Sequence, residues 1–294
     1  EGGVGTEFRH NEIKELGEYI DANYPRGQII VLHINSNGGL VVESQEINKT
    51  ILELRERHRV VAWIKKAISA GCSTAMACGE IYFETTGTAG SVTTVRGRES
   101  VPEEEIREQI EEFAKLAEQS NLSPYIARAM KVNRYMVSYD KDPETGKITW
   151  YDDLSGEYIL SDGDSNLTFN ASNAKHCGFS KGTADTPDEL AKLLDLPEWR
   201  EKSEYGRRIA ERWTKTVERA QREIPMLMDK LSYYKTSGSR QERLGAVLQI
   251  HKDLLRWVRR APVIALQMGV PEEAALERAI EEIRKTISDM NRRR

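Results

Sequence analysis

The sequence predicts an α/β core built on a parallel sheet, followed by an all-helical C-terminal domain. Three observations carry this. Two nearly continuous β-branched runs, "QIIVLHI" (Gln28–Ile34) and "RVVAWI" (Arg59–Ile64), have the composition of strands buried on both faces. Each run leads through a turn into a helical pattern, the alternation that makes a parallel sheet with covering helices. Beyond Pro197 every apolar pattern has helical period.

Taken in order, residues 11–23 read as an amphipathic helix with Ile13, Leu16 and Ile20 at helical spacing. After "YPRG" comes the first strand, then the turn "NSNGG", then a helix from Ser44 to His58 carrying Ile47, Ile51 and Leu54. The second strand leads into the small-residue helix "SAGCSTAMAC", and "EIYFETTG" is a third strand. Residues 103–119 and Leu122–Met130 are helices. "YMVSYDKDPETGKITWYD" is two alternating runs around a Pro-, Asp- and Gly-bearing turn, an inserted hairpin at about 135–152. "LTFNASNAKHCGFSKGTADTPDELAKLL" closes the core with helix, short strand and helix. The core is thus expected over residues 1–198 and the helical domain over 199–294. In that domain Ile209, Trp213, Val217 and Ile224 form one stripe. Leu244, Val247, His251, Leu254 and Val258 form a second, and Leu276, Ile280, Ile283, Ile287 and Met290 a third. Pro225 should kink or end the first helix.

The chain has 294 residues, 31% of them charged, and a net charge of −4. Residues 199–294 hold 22 basic and 14 acidic side chains, a balance of +8, against −12 for the rest. Opposite signs suggest two units, and a protein partner docking on the basic helices. Their basic residues alternate with acidic ones, which describes a solvated helix face better than a nucleic-acid surface. No transmembrane segment is present, since no run approaches the ~18 apolar residues that a bilayer needs. A soluble, cytoplasmic protein is expected. The chain opens on Glu1 rather than Met, as a processed product would, so a lost upstream signal or anchor stays open. Cys72, Cys78 and Cys177 suggest no disulfide framework and fit a reducing compartment.

Two turns carry chemistry. In "HINSNGG" a buried strand ends and paired glycines let bare N–H groups face a developing negative charge. Ligand sites of parallel sheets lie outside such strand ends. In "KKAISAGCSTAMAC" a strand delivers Ser69 to a helix N-terminus, where orphan N–H groups favour an anion. Serine there is equally a favoured helix cap, so neither turn alone decides between catalysis and local structure.

The combination of "INSNGG", "AISAG", the strand "EIYF" and "TGTAGSV" (Thr86–Val92) resembles the serine proteases of the Clp/crotonase superfamily. The likeness is closest to the signal peptide peptidase A and NfeD-type branch. It covers about residues 1–196, with its specific part at 29–92. The resemblance implies a crotonase-like spiral of ββα turns and homo-oligomers. It also implies a serine endopeptidase acting on a peptide or protein substrate, with no metal or other cofactor. Residue by residue, it makes Ser69 the nucleophile and the N–H groups of Gly39 and Ala70 the oxyanion donors, with Gly38, Leu40, Gly90 and Ser91 holding substrate.

The base is the gap. No histidine lies between Ser69 and His176, so a Clp-type triad is not supported. His58 and His176 read as surface residues, and His33 as a structural histidine in a buried strand. The NfeD-type branch uses a lysine on the helix after the Gly-Ser loop, here "VPEEEIREQIEEFAKLAEQS", whose one lysine is Lys115. Lys115 falls about 180° from Ile106, opposite the apolar stripe, and alignment leaves Ala114 at the family's lysine position. Lys65, Lys66, Lys131 and a base from another subunit are open alternatives. A protease-like scaffold without a working base is the competing function. An acyl-CoA enzyme on the same fold is a third, for which no acidic pair is placed.

Overall fold

The computed structural model describes residues 1–97, 99–236 and 239–292. It divides into two compact units, Glu1–Gly206 and Arg207–Arg294, eight residues beyond the boundary expected at 198. The charge change at Trp199 precedes the division because the long helix that leads into the second unit starts only at Tyr205.

The first unit opens with α1 (His10–Asn23), β1 (Ile29–Ser36), α2 (Val41–Arg55), β2 (Arg59–Ile68), α3 (Ala70–Ala77) and β3 (Glu80–Gly90). Two short strands come after it, β4 (Val95–Arg96) and β5 (Glu99–Ser100), then α4 (Glu103–Gln119) and α5 (Pro124–Lys131). Next are β6 (Val137–Lys141), β7 (Ile148–Tyr151) and β8 (Tyr158–Ser161). The unit closes with β9 (Thr168–Asn170), α6 (Ala171–His176), β10 (Gly182–Thr183) and α7 (Pro187–Leu193). The main sheet runs β1-β2-β3-β10, parallel throughout, and β9 adds to the end of β3 in antiparallel sense. The predicted α/β class is the observed one.

The register places the strand ends together. Ile34 pairs with Ile64, and Asn35 then pairs with Lys66, so Lys65 is an extra residue in β2. A bulge of this kind bends the strand and re-aims the residues beyond it. Past it, Ser36 lies beside Ala67, and Ile68 beside Gly90. One face of the sheet packs on α2, α3 and α5 through Ile47, Ile51, Met76, Ile126 and Met130, all fully buried. The other face, with Val61, Trp63 and Tyr82, is covered by Leu190 and Leu194 from α7 and the residue after it. Every residue of α3 is buried, which its Ala, Gly, Cys, Ser and Thr side chains permit at small interaxial distance. Arg55 finishes this layer: its guanidinium donates to Ala77 O, Ser120 Oγ and Gln119 O, satisfying helix-end carbonyls.

The predicted hairpin is present as β6 and β7, with Tyr139 opposite Trp150. It has a third strand, β8, on the other edge of β6. "EYILS" is too short for periodicity to separate from loop, and its pairing decides it.

At the start of β3, Glu80 accepts from Arg59 Nε at 2.6 Å and pairs with Lys181 at 3.2 Å. Those two cations, Arg59 foremost, hold its carboxyl down at about 2. The lowered folded value means the stabilisation is complete above the ordinary carboxylate range and is lost as pH falls toward about 2. Glu80→Gln should therefore lower stability at pH 7 by about 1–2 kcal/mol, allowing for the solvent at Arg59. Urea melts of both proteins should converge as the pH approaches the folded value.

The second unit contains most of α8 (Tyr205–Thr236), then α9 (Arg240–Arg260), α10 (Pro262–Gln267) and α11 (Glu273–Arg292). Its core gathers Trp213, Val217 and Ile224 of α8 with Ile250, Leu254 and Trp257 of α9, and Ile264 and Leu276. On α9 the buried seam is thus Ile250–Leu254–Trp257, which shares Leu254 with the predicted stripe, while that stripe's Leu244, Val247, His251 and Val258 are half-buried. α8 continues through Pro225. A proline removes one backbone bond, while buried Ala220 and Ile224 keep that stretch packed on α9.

Candidate functional site

The turn after β1 is built on glycine and an unforeseen strap. Ser36 is buried, and its Oγ accepts from Gly38 N–H at 3.1 Å, which starts the turn. Gly38 and Gly39 both have positive φ, +98° and +157°. The N-terminal residues lie along this turn: Gly2 N–H donates to Asn35 O, and Val4 N–H to Gly38 O at 2.9 Å. Leu40 N–H then donates to Val4 O at 3.0 Å. Val4 is thus bridged in parallel sense to Gly39, and its side chain is buried. Because the strap uses the groups flanking Gly39, the N–H of Gly39 itself points away from Val4. Among the described residues no hydrogen bond takes it. The sequence signal for the strap is the run "GGVG", where Gly5 leaves room for Leu40.

Ser69 stands between β2 and α3 with φ 54° and ψ −124°. A serine cap has extended backbone and an oxygen turned onto the helix N–H groups. Ser69 has neither: its side chain makes no capping bond. Among the described residues its Oγ has no hydrogen-bond partner. Such backbone costs on the order of 1–3 kcal/mol and survives only where the surroundings enforce it. Here Ser69 N–H is held by Gly90 O at 3.1 Å and Ser91 O at 3.2 Å. A strained strand-to-helix turn of this type projects a hydroxyl out of the chain. Gly38 is packed against it, so close that a Cβ there would lie 2.5 Å from Ser69 Cβ and 3.0 Å from Oγ. Ala70 N–H heads α3 and is one of the orphan donors of a helix start.

The structure thus brings Ser69, Ala70, Gly38, Gly39, Gly90 and Ser91 into one cluster. Gly90 and Ser91 hold the backbone of Ser69, and Ser91 itself has φ 44°. Leu40 is 40% exposed beside the turn. Lys115 is not in this cluster. It is exposed on α4, whose buried residues are Ile106, Ile110, Phe113, Ala114, Leu116 and Ala117. Glu111, one turn before it, pairs with Arg128. A side chain opposite a buried stripe faces solvent, and among the described residues no hydrogen bond or ion pair ties Lys115 to Ser69. Lys65 and Lys66 are exposed as well.

Lys131, the last residue of α5, differs. It is 7% exposed, and its Nζ donates to Thr94 Oγ1 at 2.8 Å. Burial pushes its pKa down to about 8, against a weaker pull upward from Glu112. Thr94 Oγ1 in turn lies 2.9 Å from Gln109 Oε1.

Three histidines are not where their sequence neighbourhoods suggested. His58 has no exposed side-chain surface and bonds Asp21 and Gln28 N–H. His33 is exposed, pairs with Glu84 and stacks on Trp63. His176 is half-buried and bonded to Tyr139. In β1 the side-chain alternation sends His33 outward, and in "RERHR" the turn buries His58 where α2 meets β2.

Among the described residues this turn offers a strained, uncapped hydroxyl and the unpartnered N–H of Gly39, and the buried amine of Lys131 is anchored on the loop that follows Ser91. Among known proteins, the model of the NfeD1b N-terminal domain matches residues 18–200, well over half of the chain. The membrane protein NfeD1b of Bacillus subtilis (strain 168) is 28% identical over 176 residues, covering 59% of this chain and 36% of that protein. The chain spans about a third of that relative's length. Among solved structures, a mutant of a membrane-bound stomatin-specific protease has a TM-score of 0.48 at 14% identity, covering 65% of this chain and 80% of the other. A second mutant of it, in complex with a substrate peptide, has a TM-score of 0.49 at 15% identity, with coverage of 66% and 76%. The expected soluble, cytoplasmic location is corrected by the curated relative, which is a membrane protein. No helix among the described residues is long and apolar enough to cross a membrane. With its family model matched from the first helix to the end of the α/β unit, the chain belongs to the NfeD1b N-terminal domain family.

Proposed function

We propose that this chain is a serine endopeptidase of the NfeD and signal peptide peptidase A type, acting on a peptide or protein substrate. Ser69 Oγ attacks the scissile carbonyl carbon while a lysine amine takes its proton. The N–H groups of Gly39 and Ala70 receive the oxyanion, preorganised donors that such sites use for charge developing in the transition state. The C–N bond then breaks, the lysine returns the proton to the leaving amine, and water hydrolyses the acyl-serine ester through the same groups.

The observation that carries this reading is the backbone of Ser69, φ 54° and ψ −124°, with a side chain that caps nothing. Local structure has no use for that strain, since an ordinary cap is available at lower energy. A fluorophosphonate probe should label the wild-type chain at one serine, and Ser69→Ala should abolish the label. Labelling that persists in Ser69→Ala would place the nucleophile at another serine, and none in the wild type at any pH would leave the protease-like core as a scaffold.

A further inference from the structure

We propose that Lys131 is the general base for Ser69 and that Thr94, anchored by Gln109, is the residue that positions its amine. This rests on Ser69 being the nucleophile.

Backbone bonds stitch the end of α5 to the loop that holds Ser69. Ser69 N–H donates to Gly90 O and Ser91 O, and the next residue, Val92, donates its N–H to Met130 O at 2.7 Å. Ser91 N–H donates to Leu167 O, and Leu167 N–H to Ala129 O at 3.0 Å. Met130 Sδ lies 3.7 Å from Cys72 Sγ, on the first turn of the helix that Ser69 heads. Lys131 comes directly after Met130, and its Nζ reaches Thr94, three residues past Ser91 on the same loop. The amine is thus delivered to the loop that sets the nucleophile. α4 and α5 pack on one another, so a base borne by α5 enters the same core that the family's position, here buried Ala114, faces from α4.

The surroundings are those of a base. Among the described residues Lys131 makes no ion pair, although it is buried. Structural lysines at such depth are usually matched with a carboxylate, because an unpaired buried charge is costly. Glu112 on α4 is the charge that reaches Lys131. Arg128 on its own helix is taken by Glu111, and Arg134 beyond the helix by Glu103. The groups packed closest, Thr94 and Gln109, are neutral.

Thr94 fixes the direction. Gln109 Oε1 accepts the Thr94 hydroxyl proton, so that hydroxyl is left to accept from Lys131. One N–H of an uncharged amine is then committed, and the lone pair is turned away from Thr94. A base oriented by one residue, itself held by another, is the general design of an activated nucleophile.

The test is the rate of fluorophosphonate labelling at Ser69 as a function of pH. In the wild type it should rise with a midpoint near the Lys131 value of about 8. Lys131→Met and Lys131→Gln should each label at least ~100-fold more slowly, the usual size of a general-base contribution, without that midpoint; Gln keeps a donor for Thr94, so a purely structural lysine would be rescued by it. Thr94→Val should slow labelling about tenfold, and Thr94→Ser should restore it. Lys115→Ala should label as wild type. Wild-type rate and midpoint in both Lys131 variants, or loss in Lys115→Ala, would overturn the assignment. A wild type that never labels would instead refute Ser69 as nucleophile, and the base with it.

Discussion

Gly39→Ala is expected to destabilise the first unit by about 3 kcal/mol or more and to slow labelling of Ser69 by at least ~100-fold. A Cβ at this position would sit 2.1 Å from Val4 O and 2.7 Å from Val4 N. Neither atom can yield as the end of a flexible side chain does. Both belong to the strap, which is pinned on each side of Val4 by hydrogen bonds to Gly38 and Leu40. The φ of +157° adds its own strain for an L-residue. Relief requires the strap to lift, which exposes Val4 and lets the Gly39 N–H swing out of place. Urea melts and labelling rates should fall together. Gly245→Ala is the control: it lies in α9 with open space where its Cβ would go, and helix propensity should make it stabilising by up to about 1 kcal/mol. A Gly39→Ala protein with wild-type melting and labelling would show that the strap does not hold the site.

Lys131→Met is expected to raise stability at pH 7 by about 3 kcal/mol while it removes activity. The sign is set by the direction of the shift. Burial lowers the lysine's folded pKa from its ordinary 10.5 to about 8. At pH 7 the amine is charged in both states, and the folded state carries the full desolvation cost. As pH rises through 8 toward 10.5 the folded chain gives up its proton first, so wild-type stability climbs and the advantage of Met disappears. For a unit of this size the pH 7 difference corresponds to a melting temperature higher by about 6–10 °C. Calorimetry at pH 7 and near pH 10 measures both ends. A Lys131→Met protein less stable than wild type at pH 7 would mean that the amine holds the fold together. A gain in stability with a loss of reactivity is the pattern of a group kept for its chemistry.

Much of this was legible in the primary structure, for identifiable reasons. A strand covered by helices is apolar almost without interruption, so β2 announces itself, and β1 does too although it is an edge strand with His33 exposed. Tight turns that need positive φ need glycine, so "NSNGG" does too. A helix buried on every side needs small residues, which made "AGCSTAMAC" readable and placed Ser69 at its start. The short β8 was not legible, because four residues carry no reliable period and only their pairing with β6 makes them a strand. Lys115 was named as the one lysine on the helix to which the resemblance points. Periodicity already placed it opposite the apolar stripe, and the structure leaves it in solvent.

What the sequence determined by itself, then, is the class of fold, the two turns and the identity of the nucleophile candidate, because each depends on local steric and burial demands written in neighbouring residues. Only the tertiary structure decided that Ser69 is strained and not capping, that Val4 braces Gly39, and that the buried amine beside the site's loop is Lys131. Those three depend on contacts between segments far apart along the chain: Ser69 with Gly90, Val4 with Gly39, Lys131 with Thr94. A side chain's depth and partners are set by which segments meet, and no local pattern records that.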